Sequence, residues 1–335
     1  MLAGIPQDHR PRGRRLLRAG AVAAVVLGLL VWWLLPQSPG PTPHGSIAIA
    51  TGMPTGVYAQ YGKLLKRDLA ADLPALEVRL LRSEGSMDNL QQLSTGRADF
   101  ALATADAAAT YGYRGEPGAE HLRACARLYD DYMQLIVPRN SPVHATRDLK
   151  GLRVAVGADG SGVQLITRRL LQAARIGFDH DIVPVRVGID RAPAMLQRHE
   201  IDAFFWSGGL PTGAVQTLSE QLQVRLVPLG DLLEPLHAMG WQTYYYRAAV
   251  IPTDAYPDMH AAEAVKTIAV ANLLVTRDDI DSDLTESITR TVIRNRDSIG
   301  TKVHAAQKVD FRTAIYTNPL QLHAGARRYY VSAKP

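Results

Sequence analysis

The chain has 335 residues, of which 47% are hydrophobic and 21% charged, so it has the length for two folded domains and is not disordered. The net charge is +5, but residues 1–18 carry five arginines against one aspartate, which leaves a nearly neutral body. Since no stripe of Lys and Arg follows, this distribution argues against a nucleic-acid-binding protein.

The first 45 residues are typical of an export or anchor element. Residues 19–35 are uncharged and apolar, follow the basic segment 1–18, and end close to Trp32 and Trp33. A helix of this length spans about 25 Å, just short of a hydrocarbon core. The positive-inside rule keeps residues 1–18 in the cytoplasm, and the Pro/Gly-rich residues 36–45 tether the body outside. We predict an uncleaved signal-anchor helix, with a cleaved signal or a twin-arginine signal as the alternatives.

From Ser46 onward, short apolar strands alternate with helical periodicity, which is the pattern of a mostly parallel sheet covered by helices. In the first unit we predict strands at 47–50, 76–81, 99–103, 122–128 and 133–137, and helices at 57–73, 86–93 and from 106. In the second unit we predict strands at 182–187, 201–205 and 224–228, and helices at 161–174, 191–198 and 214–222. The tail, with a strand at 268–274 and a helix at 283–299, completes the first lobe.

Two glycine-rich turns follow the same plan, about a hundred residues apart. Each consists of a short apolar strand, a turn rich in Gly, Ser and Thr, and then a helical pattern, at residues 47–58 and 154–162. Such turns leave backbone N–H groups free at a helix N-terminus, where the helix dipole favours a negative charge. The pair predicts two lobes that offer polar groups to one small ligand, which we expect to be an anion.

Four stretches and the tail resemble the TAXI-type solute-binding proteins of tripartite ATP-independent periplasmic (TRAP) transporters. They occur in the family's order and cover residues 46–330: IATGMPTGVY at 49–58, SEGSMDNL with LSTGRADFAL at 83–102, DLKGLRVAVGADGSG at 148–162, IDAFFWSGGLPT at 201–212 and PLQLHAGARRYY at 319–330. The sequence departs from the family pattern at Ala59, where a second Tyr is common, and at Thr104, where Gln is frequent.

The resemblance implies an α/β, two-lobed type II periplasmic-binding-protein fold, with a hinge that the chain crosses twice and the N-terminal anchor in addition. Lobe 1 is expected to comprise residues 46–140 and 248–335, and lobe 2 residues 141–247. The ligand then lies between the lobes, at the carboxyl ends of the strands.

The predicted ligand-binding residues follow the strands of both lobes or begin the helices after them. They are Thr51, Gly52, Tyr58, Gly85, Ser86, Asn89, Thr104, Asp106, Ser161, Gly162, Trp206, Ser207, Gly208 and Pro211. Several have a second interpretation: Ser86, Ser161 and Asp106 as ordinary helix N-caps, and Tyr58 and Trp206 as packing residues.

The predicted function is extracytoplasmic binding of a small organic anion, a dicarboxylate or an acidic amino acid, with delivery to TRAP membrane subunits. Arg82, Arg186 and Arg247 are the candidate carboxylate clamps. The alternative is a membrane-tethered sensor or surface protein with no transport partner.

An enzyme is the least favoured class. The sequence has no nucleophile elbow and no phosphate-binding Walker lysine motif, and its ten histidines are scattered. We therefore predict no catalytic residue, no cofactor and no metal site. The single cysteine, Cys125, excludes an intramolecular disulfide and is expected to be a small buried side chain.

Overall fold

The computed structural model describes residues 43–303 and 309–333. The basic segment 1–18, the predicted anchor 19–35 and most of the tether lie outside the described residues. Among the helices that are described, none combines the length and the apolar character that crossing a membrane requires.

Ten strands form one mixed sheet within the described residues. They are β1 (Gly45–Ala50), β2 (Leu76–Leu81), β3 (Phe100–Thr104), β4 (Leu122–Pro138), β5 (Arg153–Ala155), β6 (Val183–Val185), β7 (Ala203–Gly208), β8 (Val224–Val227), β9 (Tyr246–Ile251) and β10 (Val265–Arg277). The α-helices are α1 (Val57–Asp72), α2 (Ser86–Ser94), α3 (Ala105–Tyr113), α4 (Gly162–Ala173), α5 (Ala192–Gln197), α6 (Gly213–Gln221), α7 (Leu233–His237), α8 (Ser282–Arg294), α9 (Arg296–Gly300) and α10 (Ala324–Ser332).

The sheet has two parallel parts joined by two long strands. Its order is β2-β1-β3-β10-β4-β7-β5-β6, with β8 added on β4 and β9 on β10. Strands β2, β1 and β3 are parallel, as are β6, β5 and β7. Between them, β10 and β4 run antiparallel to each other. This arrangement gives two α/β lobes, each with its own parallel part of the sheet.

The two long strands carry the chain between the lobes. The first part of β4 pairs with β10 in the first lobe, and its last part, from Tyr132, pairs with β7 and β8 in the second. In the same way β10 pairs with β9 before Ala271 and with β3 after it. The fold thus has two crossings, as expected, whereas the residue boundaries of the lobes stay a prediction.

Strand β4 corrects the sequence analysis. Residues 122–128 and 133–137, predicted as separate strands, belong to one 17-residue strand. Asp130 and Asp131 lie at its middle and resemble a loop in the local pattern, yet Asp131 is buried. Their partners come from distant parts of the chain, which a local pattern does not show.

The core of the first lobe explains why its helices form where they do. Helix α1 buries Tyr61, Leu65 and Leu69, spaced four residues apart on one face, against the apolar side chains of β1. The tail returns to the same core, because Val292 of α8 and Tyr330 of α10 belong to it.

Cys125 also belongs to the core of the first lobe. It is buried there, and this burial raises the pKa of its thiol. The residue is therefore a packing side chain, as expected.

Candidate functional site

A cavity lies between the two lobes, beyond the carboxyl ends of β1, β3 and β5 and along the last residues of β7. Its volume is about 630 Å³ when the solvent at its mouth is counted. Ten of the fourteen predicted residues line it: Gly52, Tyr58, Gly85, Ser86, Thr104, Ser161, Gly162, Trp206, Ser207 and Gly208. Residues separated by up to 156 positions in the sequence are therefore brought to one place.

Three helices begin at this cavity. Val57 of α1, Ser86 of α2 and Gly162 of α4 are the first residues of their helices, and each lines the cavity. The first turn of a helix has N–H groups without intrahelical partners, and its dipole is positive there. The cavity therefore offers hydrogen-bond donors from both lobes.

Ser161 and Ser86 play different parts at these helix starts. Ser161 is the N-cap of α4: its hydroxyl accepts a hydrogen bond from Gln164 N at 3.0 Å and donates to Ala158 O at 2.7 Å. The N-cap of α2 is Gly85, so Ser86 is not a cap. Ser86 Oγ instead accepts a hydrogen bond from Thr104 N at 3.2 Å.

The turns of the two lobes touch at the edge of the cavity. Asp88 N of the first lobe donates a hydrogen bond to Gly160 O of the second at 3.1 Å. A Cβ placed on Gly85 would lie 3.4 Å from Ser161 Cα, and one on Gly162 would lie 2.9 Å from Ser86 Oγ. Gly85 also has a φ of 132°, which side-chain-bearing residues rarely adopt. The glycines thus permit the backbones of the two lobes to approach closely.

A chain of buried hydrogen bonds joins the cavity to both crossing strands. Tyr58 Oη lies 3.1 Å from Ser86 Oγ and donates its proton to Asn272 Oδ1 of β10. Asn272 Nδ2 donates in turn to Asp131 Oδ1 of β4 at 2.7 Å. Asp131 lines the cavity, and neither it nor Asn272 was among the predicted site residues.

Burial is the main influence on the pKa values of the titratable groups in this hydrogen-bond chain. The pKa of Asp131 is raised to about 7, chiefly by burial; the hydrogen bonds from Asn272 and Ser207 lower it, and the nearby charges of Asp130 and Asp106 raise it. Burial likewise raises the pKa of Tyr58 far above its usual value, and the negative charge of Asp131 adds to this shift. Near neutral pH, Tyr58 is thus protonated and Asp131 is close to its midpoint.

The charged lining of the cavity is acidic. Among the described residues that line it, the carboxyls of Glu84 and Asp131 are present, and no Lys, Arg or His is. The three arginines predicted as carboxylate clamps do not line the cavity. Arg186 faces Asp159 and Asp179, Arg247 pairs with Asp130, and Arg82 does not line the cavity.

Two of the four predicted residues that do not line the cavity lie directly behind it. Thr51 Oγ1 donates a hydrogen bond to Leu81 O at 3.0 Å. Asn89 Nδ2 donates to Thr51 O and to Leu102 O, the latter at 2.7 Å. These bonds fix the ends of β1, β2 and β3 relative to α2, so both side chains position the lining residues.

The other two predicted residues are further from the cavity. Asp106 is buried in a network with Arg169 and Tyr246, so its carboxylate faces charged and hydroxyl partners rather than the cavity. Pro211 is exposed. The hydroxyl of the next residue, Thr212, accepts a hydrogen bond from Trp206 Nε1 at 2.9 Å and so holds that ring at the wall of the cavity.

The predicted set of ligand-binding residues also omitted several lining residues, among them Met53, Glu84, Gly188 and Phe205. Met53 and Glu84 lie within turns whose neighbours were predicted, so proximity in sequence was a usable signal. Gly188 follows a short strand in a region without a motif, so the sequence gave no signal for it. In the part of the chain that the structure describes, His, Cys, Asp and Glu form no group of three with metal-binding geometry.

We expect the hydrogen bonds among Tyr58, Asn272 and Asp131 to contribute measurably to stability. Replacing Tyr58 with Phe removes the donor to Asn272 and leaves that buried amide oxygen without its partner. We expect the free energy of unfolding to fall by about 1–3 kcal/mol in urea denaturation. Tyr113→Phe is the matched control, because Tyr113 is 67% exposed and should change stability by less than about 0.5 kcal/mol. Equal losses in both variants would contradict this role of Tyr58.

Solved structures with the same architecture include several binding proteins. The alkanesulfonate-binding protein SsuA from Xanthomonas axonopodis pv. citri, bound to MOPS, has a TM-score of 0.50 and 14% identity, covering 88% of this chain and 86% of that one. A putative L-cystine ABC transporter protein from Listeria monocytogenes has a TM-score of 0.51 and 14% identity, covering 79% and 98%. An ancestral arginine-binding protein bound to arginine has a TM-score of 0.50 and 14% identity, covering 78% and 98%.

At such identities the similarity concerns the fold alone, an α/β, two-lobed fold of the periplasmic-binding-protein type. The family, in contrast, is assigned from the amino-acid sequence. The NMT1-like family matches residues 49–332, which is nearly all of the described body and well over half of the chain. The chain therefore belongs to the NMT1-like family.

Proposed function

We propose that this chain is an extracytoplasmic solute-binding protein that holds a small organic molecule in the cavity between its lobes. The observation that carries the proposal is the convergence of three helix N-termini, from both lobes, on one cavity. Such a site has contacts to its ligand from both lobes, so binding favours the arrangement in which the lobes touch. The proposal contains no catalytic step.

The fold and the family support this proposal. Two structural neighbours are named as binding proteins and were solved with small molecules, MOPS in one and arginine in the other. Their cavities belong to those proteins, and the identity of the solute is not carried over. What the shared fold supports is the mode of binding, between two α/β lobes.

A carboxylate group on the solute is part of the proposal. The N–H groups that open α2 and α4 favour a negative charge. Tyr58 and Trp206 add an aromatic side chain to the lining from each lobe, and such rings pack against the carbon skeleton of a ligand. With two carboxyls and no cationic side chain among the described residues of the lining, however, a simple dicarboxylate is poorly matched to this cavity.

We further propose that the partner is a TRAP-type membrane transporter. The five stretches that resemble TAXI-type proteins support this partner, as does the predicted anchor, which would hold the body at the outer face of the cytoplasmic membrane. A sensor kinase in place of the transporter is the alternative outcome. Uptake of the bound solute by cells that carry TRAP membrane subunits, with and without this chain, distinguishes the two.

The direct test of solute binding is to release small molecules from the purified full chain by denaturation and identify them by mass spectrometry. Calorimetric titration of the stripped protein with the released solutes, and with a broad panel of organic acids and amino acids, then gives affinities. We expect one class of solutes to bind with a stoichiometry of one. The proposal is wrong if no solute is released and none of the panel binds.

A further inference from the structure

The lining of the cavity holds hydrogen-bond donors and a buried acceptor. The donors are the first N–H groups of α2 and α4, whose first residues line the cavity. Asp131, on the crossing strand β4, lines the same cavity and is only 5% exposed. An ionised carboxylate accepts hydrogen bonds and cannot donate them, and no Lys, Arg or His lines the cavity among the described residues, so Asp131 has no charged donor there.

The hydroxyl groups beside Asp131 do not change this. Tyr58 donates its single proton to Asn272 Oδ1, so in its contact with Ser86 the proton belongs to Ser86. Both of these hydroxyl protons are therefore used within the protein. Ser207 adds a third hydroxyl beside Asp131, which lowers the pKa of that carboxyl but is an uncharged donor. Asn272 fills one acceptor position on Asp131 Oδ1, and an ionised carboxylate has about four such positions. Even with Asn272 and Ser207 as donors, Asp131 keeps acceptor capacity for a charged donor.

We propose that Asp131 binds an ammonium group of the solute, and that the solute is an amine-bearing organic acid rather than a carboxylate without an amine. This inference rests on the proposed solute-binding function and narrows its ligand class. The ammonium group supplies the charged donors that Asp131 lacks, and the carboxylate of the same molecule reaches the helix N-termini. Burial strengthens the attraction between the two charges, because the local dielectric is low.

The pH dependence of binding differs in sign between the two ligand classes. The pKa of Asp131 is about 7, raised chiefly by burial. An ammonium group binds the ionised form, so its affinity falls as the pH drops below 7, approaching tenfold per pH unit. A carboxylate that lies against Asp131 needs the protonated form instead. Its affinity rises as the pH falls.

Other titratable groups surround Asp131 and require a control. Asp130 adjoins it on β4, Asp106 faces it from α3 and Tyr58 from α1, Tyr129 lies nearby on β4, and Glu84 lines the same cavity. Asp131→Asn removes the titration of Asp131 and leaves theirs in place. Asp130→Asn is the matched variant, because Asp130 pairs with Arg127 and Arg247 and does not line the cavity.

The experiment is calorimetric titration of the full chain with pairs of solutes that differ only in the amine, such as L-glutamate with glutarate and L-norvaline with valerate. The rest of the panel is arranged in the same way. We expect the amine-bearing member to bind at least tenfold more tightly, with an affinity that rises from pH 5.5 to 7.5. Asp131→Asn should lose both the preference and the pH dependence, whereas Asp130→Asn keeps the preference.

The outcomes distinguish a failure of this inference from a failure of the proposed solute-binding function. If the amine-free member binds as tightly, or if affinity rises as the pH falls, the inference is overturned while solute binding stands. If no member of any pair binds to the wild-type chain, the proposed function itself is contradicted. Should Asp131→Asn fail to fold, the sign of the pH dependence in the wild-type protein decides the inference without it.

Discussion

Gly162→Val is expected to weaken solute binding roughly 5- to 150-fold and to leave the lobes folded. A Cβ at this position would lie 2.9 Å from Ser86 Oγ, 3.2 Å from Ser86 Cβ and 3.4 Å from Thr104 Oγ1, all in the opposite lobe. Overpacking of this kind costs about 1–3 kcal/mol, and the expected loss of affinity is that cost converted to a ratio of dissociation constants. Since the contact exists only where the lobes touch, the cost falls on the bound arrangement.

Gly213→Val is the matched control for this substitution. Gly213 also begins a helix, α6 of the second lobe, and a Cβ there meets no atom within 4 Å. Calorimetric titration should therefore give an unchanged affinity for Gly213→Val, and circular dichroism should show both variants folded. Equal affinities in the two variants would mean that the contact between the glycine turns is not part of the binding arrangement.

Arg169→Met is expected to lower the free energy of unfolding by about 3–5 kcal/mol. Arg169, on α4 of the second lobe, is 10% exposed and faces Asp106 of the first lobe, which is 1% exposed, at 3.3 Å. Its guanidinium also donates to Tyr246 Oη at 2.8 Å and to Thr110 Oγ1 at 2.7 Å. The loss is large because a buried carboxylate is left without its cation.

Two further variants decide whether the buried charge causes this loss. Arg169→Met leaves the buried carboxylate of Asp106 unpaired. Combining it with Asp106→Asn removes that carboxylate, so the double variant should be more stable than Arg169→Met alone. Arg168→Met changes the neighbouring residue, whose side chain is 42% exposed, and should cost less than about 1 kcal/mol. Urea denaturation measures all three. A loss in Arg169→Met no larger than that in Arg168→Met would contradict a buried ion pair between the lobes.

Local signals in the sequence were sufficient for most of the first lobe. Helix α1 was predicted at 57–73 and extends over Val57–Asp72, and strand β2 was predicted at 76–81 and matches Leu76–Leu81. These elements have regular apolar spacing and are bounded by Gly, Pro or Asp, so nearby residues determine them. The turns that the resemblance marked also supplied most of the residues that line the cavity.

The polar centre of the site was not predictable in the same way. Asp131 and Asn272 form a hydrogen bond across 141 residues of sequence, in the middle of two strands. No motif surrounds either residue, and an acidic residue inside an apolar stretch resembles a loop between two strands. Asp106 was predicted to line the cavity, but its partners, Arg169 and Tyr246, hold it in a hydrogen-bonded network outside the lining. Such contacts depend on how the lobes assemble.

A crystal structure of the full chain with the solute identified by titration tests the central claim most directly. We expect electron density for one molecule between the two glycine turns, with its carboxylate near Ser86 and Gly162 and its amine near Asp131. Trp206 should lie against its carbon skeleton. Density for the solute elsewhere on the protein, with this cavity occupied by water alone, would contradict the account.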